Sequence, residues 1–278
     1  PAQAVTPALL QAMLMRHEEA KLLEEFPDPG PTAQGNDSAN VLKGRALALQ
    51  ALGRPADAMA AMDRSLALHR DISGLLSKAQ IAELQKNLDL AKQLSDEALK
   101  SDPKNATVLM FKLGVLMLAN DNNGALALSN QLIQTYPNNL AARLARIEIF
   151  LKLKQDNQAK ADVDAILAKA PNAPVGLYYK ALLRARANDV KQAWRIAQSL
   201  PPEFTQAQPS TAIMVAQMAI SSGNIDTGAA LLGAALAKSP DNLELRLRLA
   251  AVRLRQNSPQ DALSVLDPVK DSTDPRTL

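Results

Sequence analysis

Four prolines set the organisation of this chain. Pro103, Pro137 and Pro171 stand 34 residues apart, and Pro240 follows Pro171 after 69 residues, which is two such periods plus one. Proline ends a helix because it lacks an N–H and clashes with the preceding turn. The residues after each proline include Asn or Asp, which can cap the next helix. The spacing therefore predicts a series of helical hairpins, each about 34 residues long.

Two further positions repeat with the same period when each proline is counted as position 32. Position 8 is where the first helix of a hairpin, helix A, meets the second, helix B. Position 20 is expected to be small so that the two helices can approach closely. Position 8 reads Ala46, Ala79, Leu113, Ile147, Ala181, Ala216 and Ala250, and position 20 reads Ala58, Ala91, Ala125, Ala159, Ala193, Gly228 and Ala262. These positions support the hairpin interpretation independently of the prolines.

The composition favours an all-α protein. Of the 278 residues, 47% are hydrophobic but only 3% are aromatic, and the abundant Ala and Leu favour helices. An all-β protein would need more β-branched and aromatic residues. Pro201-Pro202 is predicted to end the second helix of the fifth repeat a turn early, and Pro268 makes the seventh repeat degenerate. We divide the chain into seven repeats at residues 39–71, 72–105, 106–139, 140–173, 174–208, 209–242 and 243–270.

The ends of the chain, residues 1–38 and 271–278, lie outside these repeats. Residues 7–25 are predicted to form one amphipathic helix that begins at Pro7 and ends before Phe26-Pro27. It would be either the second half of an incomplete repeat or a helix that covers the first repeat. The stretch from Pro27 to Ser38 is rich in Pro, Gly, Asp and Ser, and it predicts a long loop. Residues 271–278 are predicted to be a C-terminal tail.

The period, the small residues at positions 8 and 20 and the proline at position 32 resemble the tetratricopeptide repeat superfamily over residues 39–270. This resemblance implies a right-handed α-solenoid of about seven helix pairs, plus an N-terminal helix, that binds a protein or peptide. Three segments, 140–146, 172–183 and 239–246, look like parts of the tetratricopeptide lipoproteins of the exosortase/PEP-CTERM exopolysaccharide system. That narrower resemblance implies the periplasm or outer membrane of a Gram-negative bacterium. The family's lipid-bearing cysteine is absent, since the chain contains no cysteine.

The sequence gives no positive sign of catalysis, a cofactor or a metal site. Of its two histidines, His17 and His69, the first begins a zinc-type helix motif, but Lys21 stands where the second histidine ligand is needed. No glycine-rich phosphate loop is present. The net charge is +3, and the basic and acidic residues are interspersed along the chain. A nucleic-acid binder shows a concentrated basic stripe instead. We therefore expect no enzyme, no cofactor, no nucleic acid and no small-molecule substrate.

Membrane association is expected only through a lipid anchor that this chain does not contain. No apolar run approaches the ~20 residues that a spanning helix requires. Because the chain begins with Pro1 rather than an initiator Met, we expect it to be a processed or truncated product.

The resemblance also indicates where a partner would bind, because helix A lines the concave surface through positions 2, 5, 9 and 12. Peptide-binding members hold a terminal carboxylate with Lys at position 5 and Asn at position 9. The first repeat has Lys43 and Leu47 there, and no repeat has the Lys/Asn pair. Apolar residues form a stripe through repeats three to six, which predicts a partner-binding groove formed by Met110, Met117, Leu144, Leu151, Tyr178, Tyr179, Leu182, Ile213 and Met214. The alternative is that some of these side chains pack between neighbouring helices.

We expect the chain to be a non-catalytic scaffold for protein–protein interaction. It would act in a bacterial envelope system that exports exopolysaccharide or sorts proteins. The alternative is a cytosolic adaptor or regulator that binds a peptide of a signalling or chaperone partner. An enzyme domain supported by repeats is a third and less favoured class.

Overall fold

A computed structural model describes residues 2–269, and side chains from residue 7 onward, as an all-α protein. These residues form seventeen α-helices and no strand. The fold class expected from the sequence, an all-α solenoid of helix pairs, is therefore confirmed. The predicted tail at 271–278 lies outside the described residues, as does the last residue of the seventh repeat.

The helices follow one another as pairs. An N-terminal pair, α1 (Ala2–Met15) and α2 (Glu19–Glu25), precedes seven further pairs, of which the fifth carries one additional short helix. In chain order these are α3 (Gly35–Ala51), α4 (Pro55–Leu68), α5 (Ile72–Leu84), α6 (Leu88–Ser101), α7 (Ala106–Leu118), α8 (Asn122–Thr135), α9 (Leu140–Lys152), α10 (Asp156–Lys169), α11 (Pro174–Arg186), α12 (Val190–Ala197), α13 (Pro202–Thr205), α14 (Pro209–Ser221), α15 (Ile225–Lys238), α16 (Leu243–Arg255) and α17 (Pro259–Leu266).

The chain divides into two compact units, residues 1–149 (unit 1) and 150–278 (unit 2), and the boundary falls within α9. In each unit, neighbouring pairs are joined at the turn between helices A and B. In unit 1, Gln85 Nε2 donates a hydrogen bond to the carbonyl of Pro55 at 3.1 Å. In unit 2, Arg186 pairs with Asp156 at 2.8 Å, and Gln256 donates to Asp226. Each of these contacts spans 30 residues, so each links one helix pair to the pair before it.

The turn from helix A to helix B has one backbone geometry throughout the described chain. The second residue after each helix A has a positive φ, between 56° and 93°. Its N–H and the next N–H close a double hydrogen-bonded cap on the helix, as in Asn120 to Met117 and Asp121 to Leu116. The left-handed residues are His17, Gly53, Lys86, Asn120, Lys154, Asn188, Gly223 and Asn257. The same turn is therefore made eight times, by several different residue types.

The expectation of a single helix over residues 7–25 is wrong. His17 has φ of 56°, its N–H bonds to the carbonyl of Leu14, and the N–H of Glu18 bonds to that of Met13. This cap ends α1 at Met15, so the N-terminal region is a short eighth helix pair. The loop predicted from Pro27 is also shorter than expected, because α3 begins at Gly35 rather than after Ser38.

Two arginines fasten this N-terminal pair to the first full repeat. Arg45 Nη1 donates hydrogen bonds to the carbonyls of Leu23, at 2.9 Å, and Phe26, at 2.5 Å, at the end of α2. Arg64 donates to both carboxylate oxygens of Asp28, at 2.7 and 2.8 Å, and to the carbonyl of Gly30 at 2.7 Å. Arg45 thus holds the end of α2, and Arg64 holds the loop that follows it; both arginines belong to the first full repeat.

Positions 8 and 20 form the interior of the helix pairs, as predicted. The side chains at position 8 are at most 3% exposed and the alanines at position 20 at most 2%. A Cβ at Gly228 would stand 2.4 Å from Ile220 Cγ1 and 3.1 Å from the carbonyl of Ala216. The small residue at position 20 therefore allows α14 and α15 to approach closely. The early end of α12 at Ala197 is likewise confirmed.

Candidate partner-binding site

The nine predicted groove residues fall into two groups by burial. Tyr179 is 8% exposed and Ile213 is 6% exposed, so both are core residues. The half-buried members are Met110, Met117 and Leu144 in unit 1, and Leu151, Tyr178, Leu182 and Met214 in unit 2.

Tyr179 and Ile213 therefore cannot contribute binding surface, which corrects that part of the prediction. Ile213 belongs to a core cluster in unit 2 with Ala216 and Leu232. Tyr179 stands edge-on to Tyr178, with ring centroids 5.2 Å apart. For these two residues the alternative interpretation, packing between helices, is the correct one.

Tyr178 and Leu182 are also used largely for packing. Both lie against the core cluster formed around Ala181 and Val215. The ring of Tyr178 is 6.0 Å from that of Phe204, a residue of the short helix α13. These two side chains therefore help to hold the fifth and sixth helix pairs together.

In unit 1, α7 presents an apolar face that its own core does not cover. Gly114 is exposed, Leu118 is 56% exposed, and Met110 and Met117 are half-buried, whereas the neighbouring Phe111 packs against the core. Apart from Phe111, these residues share the side of the helix that faces away from the buried residues of α7. A helix that is apolar on all sides is normally buried on all sides. The uncovered face of α7 thus marks it as the best candidate for a binding surface.

The corresponding faces of other helices A are more polar. On α5 the positions include Ser73 and Gln80, both exposed. Helix α14 contains no charged residue, yet seven of its residues are buried, and its exposed positions are occupied by Ser210, Gln217 and Ser221. An uncovered apolar face is therefore a property of α7 rather than of every helix A.

Sequence analysis identified Met110 and Met117 but missed the exposed Leu118. A usable signal was present, since Lys112 is the only charged residue among the thirteen of α7. That lysine pairs with Asp96 of α6 at 2.5 Å. The pairing holds its charge against α6 and leaves the uncovered face uncharged.

A second groove in unit 1, of about 380 Å³, lies between α1, α3 and α5. Leu10, Leu14 and Leu47 provide apolar lining, and Lys43 Nζ donates a hydrogen bond to Ser73 Oγ at 3.2 Å. Leu47 occupies position 9, where the carboxylate clamp of related proteins has Asn. The groove therefore lacks the amide of that clamp.

The groups whose pKa values are shifted belong to surface ion pairs, and none of these groups is a residue of α7. The Arg64 guanidinium lowers the pKa of Asp28 to about 2, and the Asp28 carboxylate raises the pKa of Arg64. Hydrogen bonds from Arg70 likewise lower the pKa of Glu97. Among residues 2–269, no group of three or more potential ligands could hold a metal ion.

Comparison with known protein families identifies the type of repeat that these helix pairs form. Tetratricopeptide repeat family models match residues 43–106, 109–139 and 219–276. This chain carries tetratricopeptide repeats. Repeats of this class generally form scaffolds for protein–protein interaction. A search of curated proteins found no match.

Solved tetratricopeptide repeat structures show the same fold. A repeat protein from Parabacteroides merdae is 17% identical, with a TM-score of 0.66 over 85% of this chain and 94% of that one. Yeast Tom70 is 15% identical, with a TM-score of 0.65 over 98% of this chain and 56% of that one. PilW, a type IV pilus biogenesis factor, is 20% identical, with a TM-score of 0.60 over 77% of this chain and all of that one. At these identities the similarity establishes the fold alone.

Proposed function

We propose that this tetratricopeptide repeat chain is a non-catalytic scaffold that binds a segment of a partner protein on the uncovered face of α7. The observation that carries the proposal is the exposure of Gly114 and Leu118 beside the half-buried Met110 and Met117. Met side chains are flexible and polarisable, and they adapt to the shape of an apolar partner. Covering this face would remove apolar area from water, which favours association.

We further propose that the scaffold acts in the envelope of a Gram-negative bacterium, in exopolysaccharide export or protein sorting. The support is the resemblance of segments 140–146, 172–183 and 239–246 to the lipoproteins of such a system. The fold of PilW, a type IV pilus biogenesis factor, is similar. No described helix is both long and apolar enough to cross a membrane. A lipid anchor outside this sequence would supply the membrane attachment.

Site-specific photo-crosslinking in the source organism tests the binding surface. A photoreactive amino acid replaces Met117 in the full-length protein, and the matched control replaces Gln131, an exposed residue of α8 in the same unit. We expect a discrete crosslinked protein from position 117 and none from position 131. Equal yields, or no crosslinked protein at position 117, would contradict the proposed site.

Cell fractionation of the same strain tests the compartment separately. The envelope proposal requires the full-length protein in the periplasmic or outer-membrane fraction. Recovery with cytosolic markers would favour the alternative, a cytosolic adaptor, while leaving the binding site on α7 intact.

A further inference from the structure

The groove between α1, α3 and α5 contains one positive charge that the described part of the chain does not neutralise. Lys43 is half-buried and is the only charged residue among those described that line this groove. Its Nζ donates a hydrogen bond to the neutral Ser73 Oγ at 3.2 Å, and within residues 2–269 it forms no ion pair. Lys78 of α5, which is also half-buried, is instead paired with Asp63. A cation without a counter-charge in a groove attracts an anion.

Neutral hydrogen-bonding groups line the same groove. Asn40 lies one turn before Lys43 on α3, and Ser73 and Ser77 lie one turn apart on α5, so each pair shares one face of its helix. All four residues line the groove. Among the described residues, neither the Asn40 amide nor the Ser77 hydroxyl has a hydrogen-bond partner. The groove therefore offers a carboxylate an ammonium group for one oxygen and neutral donors for the other.

The rest of the lining is mainly apolar. Leu10 and Leu14 lie one turn apart on α1, and Leu47 lies one turn after Lys43 on α3. Leu10 packs directly on α3, because a Cβ at Gly44 would stand only 3.0 Å from Leu10 Cδ2. The packing of α1 on α3 therefore forms one wall of the groove, whose volume of about 380 Å³ is that of a small-molecule site.

We propose that this groove binds a small monocarboxylate with an apolar chain, of the size of a medium-chain fatty acid. Lys43 binds the carboxylate, and the apolar chain lies against Leu14 and Leu47, which are half-buried. The site goes beyond the scaffold function, since none of the described residues that line it belongs to α7. It is a site for a bound ligand and not for a reaction.

Two features of the groove favour this ligand over other anions. A phosphate group carries up to about two negative charges at neutral pH, and a single lysine would neutralise only one of them. Related proteins hold the terminal carboxylate of a peptide with Lys at position 5 together with Asn at position 9. Leu47 at position 9 offers an apolar contact in place of that amide, which suits a hydrocarbon chain.

Isothermal titration calorimetry of the full chain with octanoate tests the proposal. Octanol has the same chain length without the charge, and a short peptide that ends in leucine with a free carboxylate represents the alternative occupant. We expect one saturable site for octanoate, with octanol bound about tenfold more weakly because it cannot form a charge-assisted hydrogen bond to Lys43. The peptide should also bind more weakly than octanoate. Octanol binding as tight as that of octanoate, tighter binding of the peptide, or no saturable octanoate site would overturn the proposal.

The variant Lys43→Met removes the charge and keeps an apolar stem. It should raise the Kd of octanoate about tenfold and leave that of octanol unchanged. Lys86→Met is the matched control, because Lys86 is exposed in the same unit and forms no ion pair with a described residue; it should leave both Kd values unchanged. An unchanged octanoate Kd in Lys43→Met, or an equal rise in Lys86→Met, would refute the site. The comparison of octanoate with octanol on the unaltered protein decides the question if Lys43→Met fails to fold.

Discussion

Arg64 of α4 holds Asp28 with two parallel hydrogen bonds, of 2.7 and 2.8 Å, between its guanidinium and both carboxylate oxygens. A third hydrogen bond joins Arg64 to the carbonyl of Gly30 at 2.7 Å. This bidentate pair ties the loop after α2 to the first full repeat. Because the hydrogen bonds favour the ionised carboxyl, they lower the pKa of Asp28 from 3.8 to about 2.

The first prediction concerns acid stability. The pKa of Asp28 is lower in the folded state than in the unfolded state, so its stabilising contribution is present above pH 3.8 and disappears as the pH falls through about 2. Both side chains are 40–47% exposed, which limits the contribution to about 1 kcal/mol or less. Denaturant unfolding at neutral pH should show Asp28→Asn to be less stable than wild type by this amount, and the difference should vanish near pH 2.

The matched control for this experiment is Glu24→Gln. Glu24 is exposed on α2 and forms no ion pair with a described residue. Its substitution is expected to leave the unfolding free energy unchanged at both pH values. A stability difference for Asp28→Asn that persisted below pH 2 would show that the carboxylate charge is not its cause.

The second prediction concerns the turns between helices A and B. Lys86 and Gly53 occupy equivalent positions, with φ of 61° and 72°. A left-handed conformation costs an L-residue about 1–2 kcal/mol but costs glycine little. We expect Lys86→Gly to raise the free energy of unfolding by up to about 1 kcal/mol and Gly53→Ala to lower it by about 1 kcal/mol. Urea denaturation followed by circular dichroism measures both, and changes of the opposite sign would refute the assigned turn geometry.

The third prediction concerns the attachment of the N-terminal helix pair. Arg45 donates to the carbonyls of Leu23 and Phe26, and hydrogen bonds from a charged donor contribute about 1.5–3 kcal/mol each. Arg45→Met keeps the apolar stem but removes both bonds. Hydrogen–deuterium exchange should then become faster throughout residues 7–25, with α5 and α6 unaffected.

Arg54→Met serves as the control for Arg45, since among residues 2–269 Arg54 pairs only with Asp57 of its own hairpin, at 2.7 Å. It is expected to leave exchange in residues 7–25 unchanged. Equal acceleration by the two variants would mean that the bonds of Arg45 do not hold α2.

The fourth prediction separates core from surface among the sequence-predicted groove residues. Tyr179 is 8% exposed, so Tyr179→Ala should lower the free energy of unfolding by about 3 kcal/mol. Tyr178→Ala should cost less, because that ring is only half-buried. Chemical denaturation of the two single variants tests this order. The double substitution is unsuitable as a test of partner binding, because its first effect would be on stability.

The sequence predicted the repeat architecture well because close helix contacts restrict residue size. The alanines at position 20 are buried, so nothing larger fits there, and at Gly228 even a Cβ would meet the opposite helix. These restrictions recur in every repeat and are visible without coordinates.

Three features escaped prediction, for different physical reasons. The turn at His17 went unseen because its left-handed residue is neither Gly nor Pro, so no breaker signal marks it. The burial of Tyr179, whose ring stands edge-on to that of Tyr178, depends on how neighbouring side chains pack, which the sequence does not give. The apolar surface of α7 required coordinates because periodicity alone does not say which apolar side chains a neighbour covers.

The turn between helices A and B also determines where this scaffold can diversify. Main-chain hydrogen bonds define that turn at all eight sites, so the turn itself does not depend on the side chain of the last residue of each helix A. In unit 1 this residue is apolar and exposed at Met15, Leu84 and Leu118, whereas in unit 2 it is basic at Arg186 and Arg255. Substitutions at the last residues of the helices A could therefore change what the protein recognises while leaving the turns intact. These positions are where sequence change can alter binding without altering the fold.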